Sequence, residues 1–99
     1  MRPIHLARLD KTQPALVLTR AIALPHLAWV TVAPITSRIR GISVEVLVGP
    51  ANGIDHQAAV NLDNVVTIPV ADLGRQIGRL LPEQESALTE AIHAAFDLD

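Results

Sequence analysis

Apolar and polar positions along the chain fall into several short, strand-like runs followed by one stretch with helical period. Ile4, Leu6 and Arg8 alternate with His5, Ala7 and Leu9, which predicts a strand over residues 3–9 with one exposed side. A polar turn, residues 10–13, leads to Pro14 and a second strand over residues 15–20. The Ala-Leu-Val-Leu centre of that strand predicts burial on both faces. Residues 21–27, which contain Pro25 and His26, read as a loop. Residues 29–34 are β-branched and apolar; they form a third strand that delivers Thr36 and Ser37 to its end. A basic turn follows at residues 38–41, then a strand over residues 42–48 with Val44, Val46 and Val48 on one face.

Gly49-Pro50 and Asn52-Gly53 are turn signals, so residues 49–58 should form the longest loop. Residues 59–62 and 65–68 read as strands, or as one strand broken near Asp63-Asn64, with pairing ended by Pro69. Asp72-Leu73-Gly74 suits a single helical turn before a short strand at residues 76–80. Leu88, Ala91, Ile92, Ala95 and Phe96 then follow the i, i+3, i+4, i+7, i+8 pattern. With Pro82 at the start and Glu83 and Glu85 favouring the N-terminal dipole, they predict an amphipathic helix over residues 82–96. Five to seven short strands and a closing helix imply a mainly β (α+β) fold: one domain over residues 1–99, built as a small curled antiparallel barrel with the helix packed on it.

Composition narrows the chemistry. Trp29 and Phe96 are the only aromatic residues, so the core must be aliphatic and single-stranded nucleic acid would find few stacking platforms. The absence of cysteine excludes disulfides, thiolate metal sites and a Cys nucleophile, and fits a reducing cytoplasm. His5, His26, His56 and His93 are too widely spaced for a local ligand motif, so neither metal nor cofactor is expected. The N-terminal sequence lacks a signal-like apolar core and no run is long enough to span a membrane, so the expectation is a soluble cytoplasmic protein.

The net charge of −2 hides an asymmetry: residues 1–50 carry six basic side chains against Asp10 and Glu45, while residues 51–99 carry two against eight acids. A basic half around the end of the third strand suits an anionic partner, either a phosphate backbone or an acidic peptide, although scattered charges also simply solvate a surface. Thr36 and Ser37 are open to two readings of their own. Hydroxyls at a strand end can face a ligand, and they also commonly close a turn on their own backbone.

Four stretches, in order, resemble the MazF/PemK family of bacterial toxin endoribonucleases. Residues 13–18, Gln-Pro-Ala-Leu-Val-Leu, are similar to its Arg-Pro-x-hydrophobic strand, and residues 32–37, Val-Ala-Pro-Ile-Thr-Ser, to its V-x-P-[ILV]-T-[ST] strand end. Residues 63–68, Asp-Asn-Val-Val-Thr-Ile, resemble its D/E-Q-I-R-T-I segment, and Ile77-Gly78-Arg79-Leu80 its I-G-x-[LV] run before the closing helix. The resemblance implies an SH3-like barrel, a homodimer, a MazE-like antitoxin partner and cleavage of single-stranded RNA in the cytoplasm without metal. The implied mechanism is attack of the ribose 2′-hydroxyl on the adjacent phosphate, helped by an Arg and a Thr. Thr36 matches that Thr, with Ser37 beside it; Arg38, Arg40 and Asn64 are the expected RNA contacts.

The departures are specific. Gln13 stands at the position of the family's Arg, which lowers the expected activity; Asn64 replaces a Gln; the first hairpin loop is short; and Leu81 precedes Pro82 where a Ser or Thr cap is common, at a cost to the helix of roughly 1 kcal/mol. Two alternatives therefore stand beside the ribonuclease: a non-enzymatic, CcdB-like gyrase-binding toxin, and a module that only captures an antitoxin.

Overall fold

In the computed structural model, which describes residues 2–98, seven strands form one curled, wholly antiparallel sheet closed by a C-terminal helix. The strands are β1 (Pro3–Arg8), β2 (Thr12–Val17), β3 (Trp29–Thr36), β4 (Glu45–Val48), β5 (Ala58–Asn61), β6 (Val66–Pro69) and β7 (Leu73–Arg79), followed by α1 (Glu85–Phe96). Along the sheet the order is β4-β5-β3-β2-β1-β7, and β6 pairs with β3 as well. β3 is thus the central strand. One edge meets β2, and the other is shared end to end, by β6 along residues 29–32 and by β5 at residues 35 and 36. Between those partners lies the short 3-10 turn Leu62–Asn64, which supplies the break expected near Asp63-Asn64.

Side-chain alternation along β2 and β3 feeds two cores on opposite faces. Leu16, Ala33 and Ile35 join Ile4, Val46, Val60, Leu62, Leu80, Leu88 and Ala91 in the larger core beneath α1. Ala15, Val17, Val30 and Val32 point the other way and pack with Ala7 and Ile68. Burial of β2 on both faces follows from this, as the continuous apolar run requires. The smaller core ends part-way along β3, so the later residues of that face, Pro34 and Thr36, are only half-buried.

Several boundaries differ from the sequence reading. β2 begins at Thr12 and ends at Val17 rather than running from residue 15 to 20. Pro14 is tolerated inside it because the ladder to β3 begins one residue later, at Ala15, where a backbone N–H is present again. β3 extends two residues further than expected, to Thr36. β4 starts only at Glu45, because the Glu45 carboxylate bends the preceding segment into a turn: its Oε1 accepts from Arg40 N at 3.1 Å and Gly41 N at 2.9 Å. β7 begins at Leu73 and not at residue 76. Phe96, expected on the buried stripe of the helix, is 54% exposed, since the helix ends there at an αL Asp97 beyond the reach of the core.

The start of the helix also solves its missing cap. Residues Pro82–Gln84 form a 3-10 turn, and Gln84 Oε1 accepts from Leu81 N at 2.8 Å, in place of a Ser or Thr hydroxyl. The same oxygen accepts from Asn52 Nδ2 at 2.7 Å, and Asn52, 2% exposed, also takes the Gly49 N–H on its Oδ1 and donates to Arg79 O. One buried amide thereby ties the loop before β5, the end of β7 and the start of the helix together, with its polar atoms partnered as burial demands.

A candidate RNA-binding groove

Where the smaller core runs out, the face of the sheet opposite α1 opens into a groove of about 690 Å³. Its apolar floor is formed by Leu9, Pro34, Val66 and Ile68, and its polar lining by Arg8, Asp10, Gln13, Thr36, Arg38, Arg40, Asn61 and Asn64. Three arginines face one aspartate. None of these four enters an ion pair, the sole one among the described residues being Arg2–Glu85 at 3.5 Å on another part of the surface. An unneutralised guanidinium set beside an apolar floor suits an anionic ligand with flat, weakly polar parts.

Gln13 and Thr36 are cross-strand neighbours in this site. The β2–β3 ladder pairs Ala15 with Pro34, and continuing that register by two residues sets Gln13 opposite Thr36. The Gln13 amide reaches over to Ile35 O at a long 3.4 Å, so it is only loosely held. Thr36 Oγ1 accepts from Arg38 N at 3.1 Å. This local turn engages the oxygen as acceptor and leaves the hydroxyl proton to be donated elsewhere, so the two readings of Thr36 are compatible.

A second, smaller depression of about 300 Å³ adjoins the groove, lined by Lys11, Thr12, Ser37 and His56 among others. Gln13 and Thr36 line both hollows. They form the saddle between them. Of the six residues singled out from sequence, Gln13, Thr36, Arg38, Arg40 and Asn64 therefore share the main groove, while Ser37 lines only the smaller hollow.

Arg8 and Asn61 escaped the sequence reading. Alternation grouped Arg8 with Ile4 and Leu6 without assigning it to the site; the hairpin register, Ala7 opposite Gln13 and Arg8 opposite Thr12, is what sets it beside position 13. Asn61 closes β5, and its Oδ1 accepts from Asp63 N at 2.9 Å to start the 3-10 turn that carries Asn64. Asn followed two residues later by a turn-forming Asp was the available signal. Among the described residues no group of three or more His, Asp or Glu is gathered that would hold a metal ion.

The model of the family described as "PemK-like, MazF-like toxin of type II toxin-antitoxin system" matches residues 4–96. The chain belongs to this family. Over its full length it is 60% identical to a Mycobacterium tuberculosis protein named Endoribonuclease MazF3, covering 96% of that protein. Its fold superposes on a solved structure described as Mycobacterium tuberculosis toxin MazF-mt6 with a TM-score of 0.97, at 59% identity over 99% of both chains. A further fold match, with a TM-score of 0.86 at 24% identity over 98% of this chain and 93% of the other, is to an endoribonuclease solved in complex with its cognate antitoxin from a mycobacterial species. The curled half-barrel with a terminal helix is therefore the family fold.

Proposed function

We propose that this chain is the endoribonuclease toxin of a type II toxin–antitoxin pair and cleaves single-stranded RNA across the Gln13–Thr36 saddle. The observation that carries this reading is that the two residues stand on the ridge between two hollows. A phosphodiester lying over the ridge has one nucleoside on each side, and its phosphoryl oxygens meet the Thr36 hydroxyl and the Gln13 amide. The ribose 2′-hydroxyl attacks the phosphorus and the bond to the 5′ oxygen breaks, leaving a 2′,3′-cyclic phosphate and a 5′-hydroxyl. Negative charge grows on the phosphoryl oxygens during attack, so preorganised donors and nearby cations lower the barrier. Arg8, Arg38 and Arg40 supply charge, and the flanking phosphates are their natural targets. Asn64, exposed at the rim, offers an amide to a base edge.

Incubating the purified chain with long RNA in excess EDTA tests the reading. Cleavage leaving 5′-hydroxyl ends is expected. Intact RNA after incubation with both the natural chain and the Gln13→Arg chain would reject it. No observation favours the gyrase-binding alternative, whose family match would carry no reason for a polar saddle between two hollows.

The same reading includes two protein partners. Leu47, Phe96 and Leu98 stay more than half exposed at the helix end and on β4, against which the helix packs, and they support a homodimer that buries them. An antitoxin whose recognition segment is acidic and apolar fits the groove margin at Arg38 and Arg40. Sedimentation at micromolar concentration is expected to give a dimer. Replacing both arginines with Ala should slow antitoxin association at low ionic strength, because opposite charge mainly accelerates encounter; an unchanged on-rate would refute the placement.

A further inference from the structure

The groove contains one polar group whose orientation is fixed and whose donor has no partner. Asn61 is a buried residue, 6% exposed, at the end of β5. Continuing the β3–β5 register, in which Ile35 pairs with Val60, by one residue sets it beside Pro34 on the groove side of the sheet. Its Oδ1 is committed to Asp63 N at 2.9 Å, which decides which way round the amide sits. Among the described residues Nδ2 donates to no protein group. Among the described residues the one side-chain polar atom sealed from solvent without a hydrogen bond is Arg2 Nε, so Asn61 Nδ2 is reached from outside, and the opening that Asn61 lines is the groove.

We infer that Asn61 reads the base seated in the main groove and selects a keto base, uracil or guanine, over an amino base, cytosine or adenine. This rests on the proposal that the groove binds RNA. The apolar faces of Pro34, Val66 and Ile68 offer a flat seat to a ring, and a donor held in one direction at its wall demands an acceptor from the ring's edge. Uracil carries a carbonyl oxygen at C4 and a proton on the adjacent ring nitrogen, where cytosine carries an amino group and a bare nitrogen; guanine and adenine differ in the same way at C6 and N1, guanine having a 2-amino group besides. Opposite the Asn61 N–H, the keto oxygen accepts a hydrogen bond, whereas the amino group sets donor against donor and leaves both unpaired. A site built to make a hydrogen bond rejects the ligand that cannot complete it more strongly than an apolar pocket rejects a change of size. The turn bond to Asp63 also prevents the amide from flipping to accommodate the wrong base, because flipping would set the Asn61 NH₂ against the Asp63 N–H.

The test uses uncleavable 2′-deoxy oligomers in two matched pairs, deoxyuridine against deoxycytidine and deoxyinosine against deoxyadenosine, with affinity measured by fluorescence anisotropy. The natural chain should favour the keto member of a pair by about fivefold to tenfold. Which pair shows the larger ratio distinguishes uracil from guanine. Asn61→Asp keeps the oxygen that caps the turn and replaces the donor with an acceptor, so the preference should reverse toward the amino member. Asn61→Ser also keeps a capping oxygen but loses the amide donor, and the ratio should fall to near one. A keto/amino ratio unchanged in both folded variants overturns the inference, whereas a merely structural role would weaken all four oligomers alike. Failure of the ribonuclease reading registers separately, as a mixed RNA pool left intact by the natural and Gln13→Arg chains.

Discussion

Replacing Gln13 with arginine is expected to raise RNA cleavage by roughly a hundred- to a thousand-fold, the amount that one well-placed donor to a developing oxyanion is worth. Gln13 stands across from Thr36 at the saddle, where the attacked phosphate would lie, and its amide is held only by a 3.4 Å contact to Ile35 O. A guanidinium on the same strand position has open groove before it, adds a full charge, and can donate two parallel hydrogen bonds to phosphate oxygens. Thr36→Ala in the Gln13→Arg background should remove most of the gain. Single-turnover cleavage of one defined RNA measures both. A gain below about tenfold would mean that another groove cation already supplies the charge, and Arg8, whose strand lies against Gln13, is the first to replace. No cleavage by any of these variants would remove the catalytic role from the saddle.

The second large effect concerns the fold. Gly78→Ala should destabilise the chain by roughly 3 kcal/mol, because a methyl group there overlaps the Asn52 carbonyl oxygen and comes within 3.1 Å of Gly53 Cα. Backbone, not a flexible side chain, is in the way. Gly53 presents the reciprocal contact, its Cβ position overlapping Ile77 O, and it holds a φ of 84° besides. Two chain segments therefore pass with no room for a side chain on either, beside the buried Asn52 amide that joins them to the helix. For a chain of this size the expected fall in Tm is about 15 °C. Gly41→Ala is the control. Its φ is 71° but nothing lies within 4 Å, so only the left-handed backbone penalty of about 1 kcal/mol is expected. Equal falls for both variants would show that close packing at Gly78 is not what limits it.

These cases mark what a linear sequence can carry. The helix and the doubly buried β2 were legible because each announces itself within a single run of residues: Leu88, Ala91 and Ile92 by period, Ala15 to Val17 by continuous apolarity. Thr36 was legible through a motif, and Arg38 and Arg40 through the charge of the turn that follows it. The turn before β4 was not, because Ile42 and Val44 there suit a strand and only the Glu45 carboxylate, bonded to backbone amides several residues earlier, decides otherwise. Phe96 matched the helical stripe but lies where the core has ended. Arg8 and Asn61 needed strand register, which joins residues far apart in sequence and is set by the whole sheet.

The pairing of β1 with β7 has a consequence for how the protein is born. Pro3 lies opposite Arg79, and the core backing the groove draws on Ile4 and Leu16 from one end of the chain and on Leu80 and Leu88 from the other. During synthesis the first strand emerges early, yet the neighbour that covers its outer edge follows only after β2 to β6 have been made. The half-barrel can close only once β7 is free to pair with β1, and contacts of such long sequence separation form slowly, over milliseconds to seconds.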